Sequence, residues 1–266
     1  MDILTVIGLL LGAAVVGGVM QNTGILSLMW DINAAILVFG GAAASVLIAY
    51  PWSEIRCVPS AVRIIFFPRR MKNFVQMIEE LVTYSGIAKK EGIDALSGRI
   101  PTMSNRFMKR AFTFSLSGMA ADMVKENLER EVMETQQRHQ KVGSIFRALG
   151  TFTPIFGLLG TLIGVVTVLR SLGGGGMEQQ GLGEAFGKMQ IAVTTTFYGI
   201  FGANFLFLPT AIKLNEYSSE EILLKTLMIE TVYSIQNGEF PMVLAKKLDA
   251  FVSETLKARG KGQGND

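Results

Sequence analysis

Four long stretches without Asp, Glu, Lys, Arg or His dominate the hydropathy pattern, and they are Ile3–Trp30, Ile32–Ser53, Ala148–Leu169 and Met189–Ile212. A bilayer core of ~30 Å requires about 20 residues of α-helix, and each stretch is long enough. The pattern predicts membrane helices near Ile3–Met20, Asn33–Tyr50, Ala148–Ser171 and Glu184–Ile212. The expected fold class is therefore all-α: a polytopic membrane protein with four transmembrane helices and a helical cytoplasmic domain.

The segment between the second and third stretches shows apolar residues at helical spacing. We interpret Pro51–Pro68 as a connection, followed by helices at Met71–Ser85 and Ile87–Leu96, with Gly86 and Gly92 as breaks. A longer helix, Ala120–Leu149, contains no proline and is expected to run directly into the third membrane helix. Its charged surface fits either a solvated connector or a rigid strut.

The tail is expected to form a helix near Tyr217–Gln236, which Asn237-Gly238 ends, and another at Met242–Lys257, which Pro241 opens. The glycine-rich residues 260–266 are expected to be disordered. The predicted segments are 1–52 with the first two membrane helices, 53–147 as the cytoplasmic helical domain, 148–212 with the last two membrane helices, and 213–266 as the cytoplasmic tail.

The distribution of basic residues predicts the orientation in the membrane. Of the 25 Lys and Arg residues, sixteen lie in Pro51–Ala148 and seven follow Ile212, whereas the loops Gln21–Asn33 and Ser171–Gly187 contain none. Because basic residues accumulate on the cytoplasmic side, the large segment and both termini are expected to be cytoplasmic, in a bacterial inner membrane. No Lys or Arg precedes Arg56, which favours a retained first helix over a cleaved signal peptide.

Composition argues against several functional classes. A net charge of +3 gives little support to nucleic-acid binding, and the single Cys57 and single His139 allow neither an internal disulfide nor a Cys/His metal cluster. The Gly173–Gly176 run lacks the Lys-Ser/Thr of a phosphate-binding loop and is interpreted as a flexible loop. We expect no enzyme activity, no catalytic residues, no bound metal and no cofactor.

The third and fourth stretches each carry a stripe of small residues with a threonine inside it. The stripes are Gly157, Thr161 and Gly164 on the third, and Ala192, Thr196, Gly199 and Ala203 on the fourth. Such a stripe allows close helix packing, or its hydroxyls can line a path for ions. An ion path usually needs an intramembrane carboxylate, which these stretches lack. A partner subunit would therefore supply the acid, and the stripes are expected to face that partner's helix.

Two motifs resemble the MotA family, the membrane subunit of flagellar stators and a relative of ExbB and TolQ. They are Thr153–Gly164 on the third stretch, and Thr195–Gly199 followed by Ala203–Pro209 on the fourth. The resemblance covers nearly the whole chain, since the four spans, the large cytoplasmic segment and the tail occur in the same order. ExbB and TolQ proteins typically have three spans, so the MotA family fits better.

The resemblance implies a homo-pentamer around two copies of a MotB-type partner, a single-span subunit with an intramembrane Asp and a peptidoglycan-binding domain. It implies that H⁺ or Na⁺ flow drives rotation, and the threonines do not select between these ions. The residues it assigns to lining the ion pathway are Thr161, Thr195 and Thr196. The residues it assigns to conformational coupling are Pro154 and Pro209.

The resemblance also implies a contact with the rotor protein FliG, made by a basic residue and an acidic residue eight positions later. Lys89 takes the basic position, but Ser97 stands at the acidic one. The charged residues that could form this contact are Lys89, Lys90, Glu91, Asp94 and Arg99, and the alternative is an exposed charged helix without a partner. The function implied is an ion-driven stator subunit; the alternatives are a non-flagellar ExbB/TolQ-like energiser and a structural membrane scaffold.

Overall fold

The computed structural model describes residues 3–67, 74–103, 105–173 and 179–251, and its regular elements there are helices. In chain order these are α1 (Ile3–Asn22), α2 (Ile32–Ala35), α3 (Gly41–Ala49), α4 (Trp52–Ile55), α5 (Val58–Phe66), α6 (Phe74–Glu91), α7 (Arg106–Leu116), α8 (Ala121–Gly173), α9 (Gln179–Phe201), α10 (Leu208–Gln236) and α11 (Pro241–Phe251). The segments Ile36–Gly40 and Gly202–Phe207 are π-helical, and Ile93–Thr102 is a 3₁₀ helix.

Four helical stretches are long and apolar enough to cross a membrane: Ile3–Asn22, Ile32–Ala49, Ala121–Ser171 and Met189–Gln236. The predicted all-α fold with four membrane spans is therefore confirmed. The last two stretches contain 51 and 48 residues, far more than a bilayer requires. The prediction that the helix starting near Ala120 continues into the third span is also confirmed, because α8 is unbroken over 53 residues.

The predicted break at Gly86 is wrong, and so is the separate helix Ile87–Leu96. α6 continues through Gly86 to Glu91, since its buried face, which includes Met77 and Leu81, already fixes the helix in the core. One glycine inside a helix costs only about 1 kcal/mol, which such packing outweighs. The helix ends where Gly92 takes a φ of +87°, a conformation that favours glycine.

The predicted separation between the fourth span and the tail helix is likewise wrong. α10 runs without interruption from Leu208 to Gln236, because no glycine or proline lies between Pro209 and that end. The predicted stop at Asn237-Gly238 and the restart at Pro241 are confirmed by the bounds of α10 and α11.

Two π-helical segments in the second and fourth spans lie against each other. A Cβ atom on Gly202 would meet the Phe39 ring at 2.6 Å, and the rings of Phe39 and Phe207 are 6.3 Å apart. The second π segment ends two residues before Pro209, whose ring clashes with the carbonyl group four residues earlier in a regular α-helix. The wider π turn relieves this clash.

The Pro51–Pro68 connection contains two short helices, α4 and α5, which the sequence analysis missed. Ala61 and Ile65 are buried on α5, while Val62, Arg63 and Ile64 on the other sides are exposed. This helix is amphipathic, and its short length hid the periodic pattern.

The chain divides into two compact units. The first, called here the membrane unit, comprises Met1–Arg69 and His139–Asn215, and the second, the helical unit, comprises Arg70–Arg138 and Glu216–Asp266. The predicted four-segment division stays a prediction. Of the predicted loop Gly173–Gly176, Gly173 closes α8; residues 174–176, the expected helix end beyond Phe251 and the tail 260–266 lie outside the described residues.

Candidate ion-pathway site in the membrane unit

Glycines bring the backbones of α8 and α9 into direct contact. A Cβ atom on Gly157 would lie 2.9 Å from the Thr195 carbonyl oxygen and 3.3 Å from the Gly199 Cα atom. A Cβ atom on Gly164 would lie 2.5 Å from the Ala192 Cβ atom. Only small residues permit this approach, which strengthens helix association in lipid. The two stripes face each other within one chain, so the expectation that both face a partner's helix is wrong for their glycines.

Thr161 and Thr196 form a hydroxyl pair inside this contact. Their Oγ1 atoms are hydrogen-bonded to each other across the two helices. The Thr161 hydroxyl also lies 3.2 Å from the Gly157 carbonyl oxygen and 3.2 Å from that of Ala192. The Thr196 hydroxyl reaches the same two carbonyl oxygens, at 3.5 and 3.2 Å. Two hydroxyl and two carbonyl oxygens therefore gather between α8 and α9.

This group of four oxygens carries no formal charge, and both threonine side chains are half-buried, so one edge of the pair reaches the surface of the chain. Each hydroxyl has one proton and two lone pairs. One hydroxyl can donate to the other, which donates to a carbonyl group, and lone pairs stay available for water or a cation. Within the described part of the chain, no three His, Cys, Asp or Glu side chains could hold a metal ion together.

Thr194 and Thr195 are fully buried in the chain, unlike their neighbour Thr196. The Thr195 hydroxyl donates to the Ala192 carbonyl oxygen at 2.9 Å, and its side chain occupies the space beside Gly160. The Thr194 hydroxyl points to the Met29 sulfur atom at 3.9 Å. The structure thus brings Thr161 and Thr196 together and places Thr195 in the helix packing, which favours a packing role for Thr195 over the predicted lining role.

The two prolines predicted to serve conformational coupling lie in different surroundings. Pro154 is half-buried in α8, and its Cα atom would lie 3.1 Å from a Cβ atom on Gly199. Pro209 is exposed and stands directly after the π segment and Leu208. Each proline removes one backbone hydrogen bond from its helix, so both are points of lower bending stiffness.

The fourth span also holds the loop between the first two spans, a contact that the sequence analysis missed. The Tyr198 hydroxyl donates to the Met29 carbonyl oxygen at 2.5 Å and accepts from the Asp31 amide at 3.3 Å. The Gln190 amide donates to the Leu28 carbonyl oxygen at 2.5 Å. These partners are separated by more than 160 residues in the sequence, and no local pattern predicts such pairs.

Of the residues predicted to contact the rotor, Lys89 is already engaged within the helical unit. Its ammonium group donates to the Gly238 carbonyl oxygen at 2.6 Å and lies 4.3 Å from the centre of the Phe240 ring. The four others, Lys90, Glu91, Asp94 and Arg99, are exposed at the end of α6 and in the 3₁₀ helix. Lys89 therefore stabilises the turn between α10 and α11, and the other four charged side chains are exposed to solvent.

Close to these charges, Tyr84 donates to the Glu80 carboxylate at 2.9 Å. Burial raises the pKa of Tyr84 to about 12, helped by the hydrogen bond to Glu80 and opposed by the nearby Arg99 charge. Tyrosine is already neutral at physiological pH, and the raised pKa keeps the Tyr84 hydroxyl protonated into the alkaline range.

Comparisons with known proteins agree with this architecture. A family model described as the MotA/TolQ/ExbB proton channel family matches residues 99–226. The chain is 30% identical to Motility protein A of Borreliella burgdorferi over 91% of this chain and 90% of that protein. The chain belongs to the MotA/TolQ/ExbB proton channel family. The resemblance to MotA inferred from the two motifs is confirmed.

Two further members of the family extend the comparison. The chain is 31% identical to the uncharacterized protein YtxD of Bacillus subtilis, over 95% of this chain and 91% of that protein. It is also similar to a chain in the structure of the flagellar MotAB stator complex from Bacillus subtilis, with a TM-score of 0.79, 27% identity, and 94% and 97% of the two chains covered. The MotA/TolQ/ExbB fold is thus present along nearly the whole length.

Proposed function

We propose that this chain is the MotA-type subunit of a flagellar stator, which forms an ion channel with a MotB-type partner and converts ion flow into rotation. The observation that carries the proposal is the end-to-end match with motility protein A and with a chain of the MotAB stator complex. The neutral hydroxyl pair of Thr161 and Thr196 supports it, because hydroxyl oxygens can replace part of an ion's water without trapping the ion.

The proposed assembly contains five copies of this chain around two copies of the partner, in a bacterial inner membrane with the large segment and both termini in the cytoplasm. The partner contributes one membrane helix with an aspartate and a peptidoglycan-binding domain. Its carboxylate supplies the acid that the charge-free stretches of this chain lack. The transported ion is H⁺ or Na⁺, and no cofactor takes part.

The carbonyl groups of Gly157 and Ala192 give the hydroxyl pair two alternative acceptors. While no ion is present, one threonine hydroxyl donates to the other, which donates to one of these carbonyl groups, so both hydroxyl protons have acceptors. When the partner's carboxylate arrives, a threonine hydroxyl rotates and donates to it, and after the ion neutralises the acid the hydroxyl returns to its carbonyl. Such rotation costs little, because every position has an acceptor.

Removing one hydroxyl tests this role. We expect Thr196→Val to abolish motility while the chain still assembles in the membrane, since valine keeps the shape and loses the oxygen. Thr196→Ser should retain much of the function. A matched control is Thr167→Val on α8, because among the described residues the Thr167 hydroxyl bonds only within its own helix, to the Ile163 carbonyl oxygen at 2.7 Å. Wild-type swimming of Thr196→Val would contradict the proposal.

Pro154→Leu tests conformational coupling separately. Leucine restores the missing backbone donor in α8 and stiffens the helix beside Gly199. We expect the variant to assemble, to conduct ions and to lose torque. A variant that swims normally would show that flexibility at this position is not required.

We further propose that the exposed charges Lys90, Glu91, Asp94 and Arg99 contact the rotor protein FliG, and that Lys89 acts by holding the turn beneath them. Lys90→Glu should lower torque, and the loss should depend on ionic strength because steering by exposed charges is screened by salt. Lys89→Met should lower torque independently of ionic strength. Unchanged swimming of Lys90→Glu at low ionic strength would place the rotor contact elsewhere.

A non-flagellar energiser of the ExbB/TolQ type is the second candidate. It is favoured by Ser97 at the position of the rotor-contact acid and by the similar identity to YtxD, whose function its name leaves open. Deletion of the gene separates the two, because the stator loses swimming and the energiser does not. If the chain is instead a structural scaffold, the purified complex should conduct no ions at any membrane potential.

A further inference from the structure

The helices α4 and α5 in the membrane unit have one face covered by protein and one face left open. On the covered face, Ala61 packs with Phe146 and Ala211, and Ile65 is also buried. Elsewhere between residues 52 and 67, Trp52 is 72% exposed, Ile64 41% and Phe67, directly after α5, 57%. Three such large apolar side chains on one short amphipathic segment require a partner that is itself partly apolar.

Uncompensated positive charge accompanies these apolar side chains. Glu54 is the only acidic residue in Pro51–Phe67, and it forms an ion pair with Lys141 at 3.1 Å. Arg56 and Arg63 are exposed, and no described residue forms an ion pair or side-chain hydrogen bond with either of them. Within the described part of the chain, the segment therefore carries two exposed guanidinium groups without an ion pair, and guanidinium groups bind phosphate oxygens in a bidentate manner.

The position of the segment identifies the occupant. α3 ends at Ala49 as the last turn of the second membrane span, and α4 begins three residues later at Trp52. A segment that starts at the end of a membrane span and exposes a tryptophan, other large apolar side chains and arginines is suited to the boundary between headgroups and acyl chains. A soluble protein or free phosphate would match only half of this surface.

We propose that α4 and α5 bind anionic phospholipids, with Arg56 and Arg63 on the headgroup phosphates and Trp52, Ile64 and Phe67 among the upper acyl chains. With the orientation of the proposed function, this surface lies at the cytoplasmic leaflet, where anionic lipids attract basic segments. The lipids would hold the first two spans and the cytoplasmic edge of the third in a fixed position while ion flow drives conformational change in the rest of the complex.

The two tryptophans of the chain allow a direct test, since one lies in α4 and the other in the outer loop. A Trp30→Phe variant of the full chain in its complex leaves Trp52 as the fluorescent reporter. In vesicles of phosphatidylcholine with a fixed fraction of brominated lipid, brominated phosphatidylglycerol should quench Trp52 more than brominated phosphatidylcholine does. Arg56→Gln with Arg63→Gln should remove the preference, which we expect to be about fivefold in local enrichment per arginine.

Controls distinguish a binding surface from a general effect of charge. Lys125→Gln with Arg130→Gln lowers the net charge equally on α8 of the helical unit and should keep the preference. In a Trp52→Phe variant, Trp30 should show no preference, and Arg63→Lys should retain part of it. Excess inorganic phosphate should not compete, because it lacks acyl chains.

Three results would overturn the proposal: equal quenching of Trp52 by both brominated lipids, equal loss of preference in the Lys125→Gln, Arg130→Gln control, or no quenching by either lipid. The third would mean that a second copy of the chain or another subunit covers this face. If deletion of the gene left swimming intact while Trp52 kept its preference, the proposed function would be refuted and lipid binding would stand.

Discussion

The helical unit and the membrane unit are each stabilised internally by a different kind of buried side chain. In the helical unit most of the fully buried residues are large and apolar, and they include Leu81, Phe112, Leu227 and Met228. In the membrane unit many of the buried residues are small, and many of its large apolar side chains are exposed. Four residues of α8, Leu158, Leu162, Val166 and Leu169, are all at least 57% exposed.

The surroundings explain the difference. Water drives large apolar side chains into a core, with a gain of about 25 cal/mol for each Å² buried. Lipid tails are as apolar as leucine, so they provide no such force, and membrane helices associate through close backbone contact and hydrogen bonds. A substitution that adds a methyl group should therefore damage the membrane unit most, and one that removes methyl groups should damage the helical unit most.

Gly199→Ala should have the largest effect. The added Cβ atom would lie 2.9 Å from the Thr153 carbonyl oxygen, 3.1 Å from the Pro154 Cα atom and 3.2 Å from the Gly157 Cα atom. All three are backbone atoms that cannot move aside, so α8 and α9 must separate and the Thr161–Thr196 pair must break. We expect complete loss of motility and a lower melting temperature of the purified protein in detergent.

Gly18→Ala on α1 is the matched control, because an added Cβ atom there meets no atom within 4 Å. It should leave both motility and melting temperature unchanged. If Gly199→Ala behaved like Gly18→Ala, the close contact between α8 and α9 would not be required for the stability of the membrane unit or for motility.

Leu227→Ala should have the next largest effect, of about 2–5 kcal/mol on the helical unit, because it removes a fully buried side chain and leaves a cavity. Amide hydrogen exchange of the full chain should show faster exchange in α6, α7 and the second half of α10. Leu162→Ala, at a position 57% exposed on α8, is the counterpart in the membrane unit and should change exchange little. Equal effects of the two would contradict the contrast between the units.

Sequence patterns predicted this fold well where a signal is local. The lack of charge over a bilayer's length marked all four spans, and Asn237, Gly238 and Pro241 marked the turn between α10 and α11. Local signals failed where tertiary packing decided the outcome. Gly86 has the propensity of a helix breaker but lies inside α6, and the short helix α5 is stabilised by contacts with Phe146 and Ala211 from distant segments.

The candidate site was predictable in residue type but not in pairing. Spacing placed Thr161 and Thr196 on small-residue stripes, yet only the structure shows that the stripes face each other and that Thr195 is buried. Sequence also did not separate Lys89 from Lys90, since the partner of Lys89 is the carbonyl group of Gly238, 149 residues away. Side-chain partners of that separation depend on the whole fold.

Low pH is expected to have the smallest effect on stability, and it should act on one group of hydrogen bonds in the helical unit. Lys247 donates to both carboxylate oxygens of Glu239, at 2.7 and 2.8 Å, and Ser234 donates to one of them at 2.8 Å. The hydrogen bond from Lys247 lowers the pKa of Glu239 below its ordinary value of 4.5, and the bond from Ser234 adds to this. The same contact raises the pKa of Lys247.

Because the pKa of Glu239 is lower in the folded state, its stabilisation is complete above the unfolded value and is lost as pH falls through the folded one. The raised pKa of Lys247 adds no pH dependence until alkaline pH. Both side chains are partly exposed, so the effect should stay below about 1 kcal/mol. As pH falls below the ordinary carboxyl value of 4.5, corrected amide exchange in α11 should quicken, and that around Gly157 should not. Lys247→Met should remove most of this pH dependence, because only the bond from Ser234 remains, and the exposed neighbour variant Lys246→Met should keep it. An unchanged pH dependence in Lys247→Met would assign the acid sensitivity to another group.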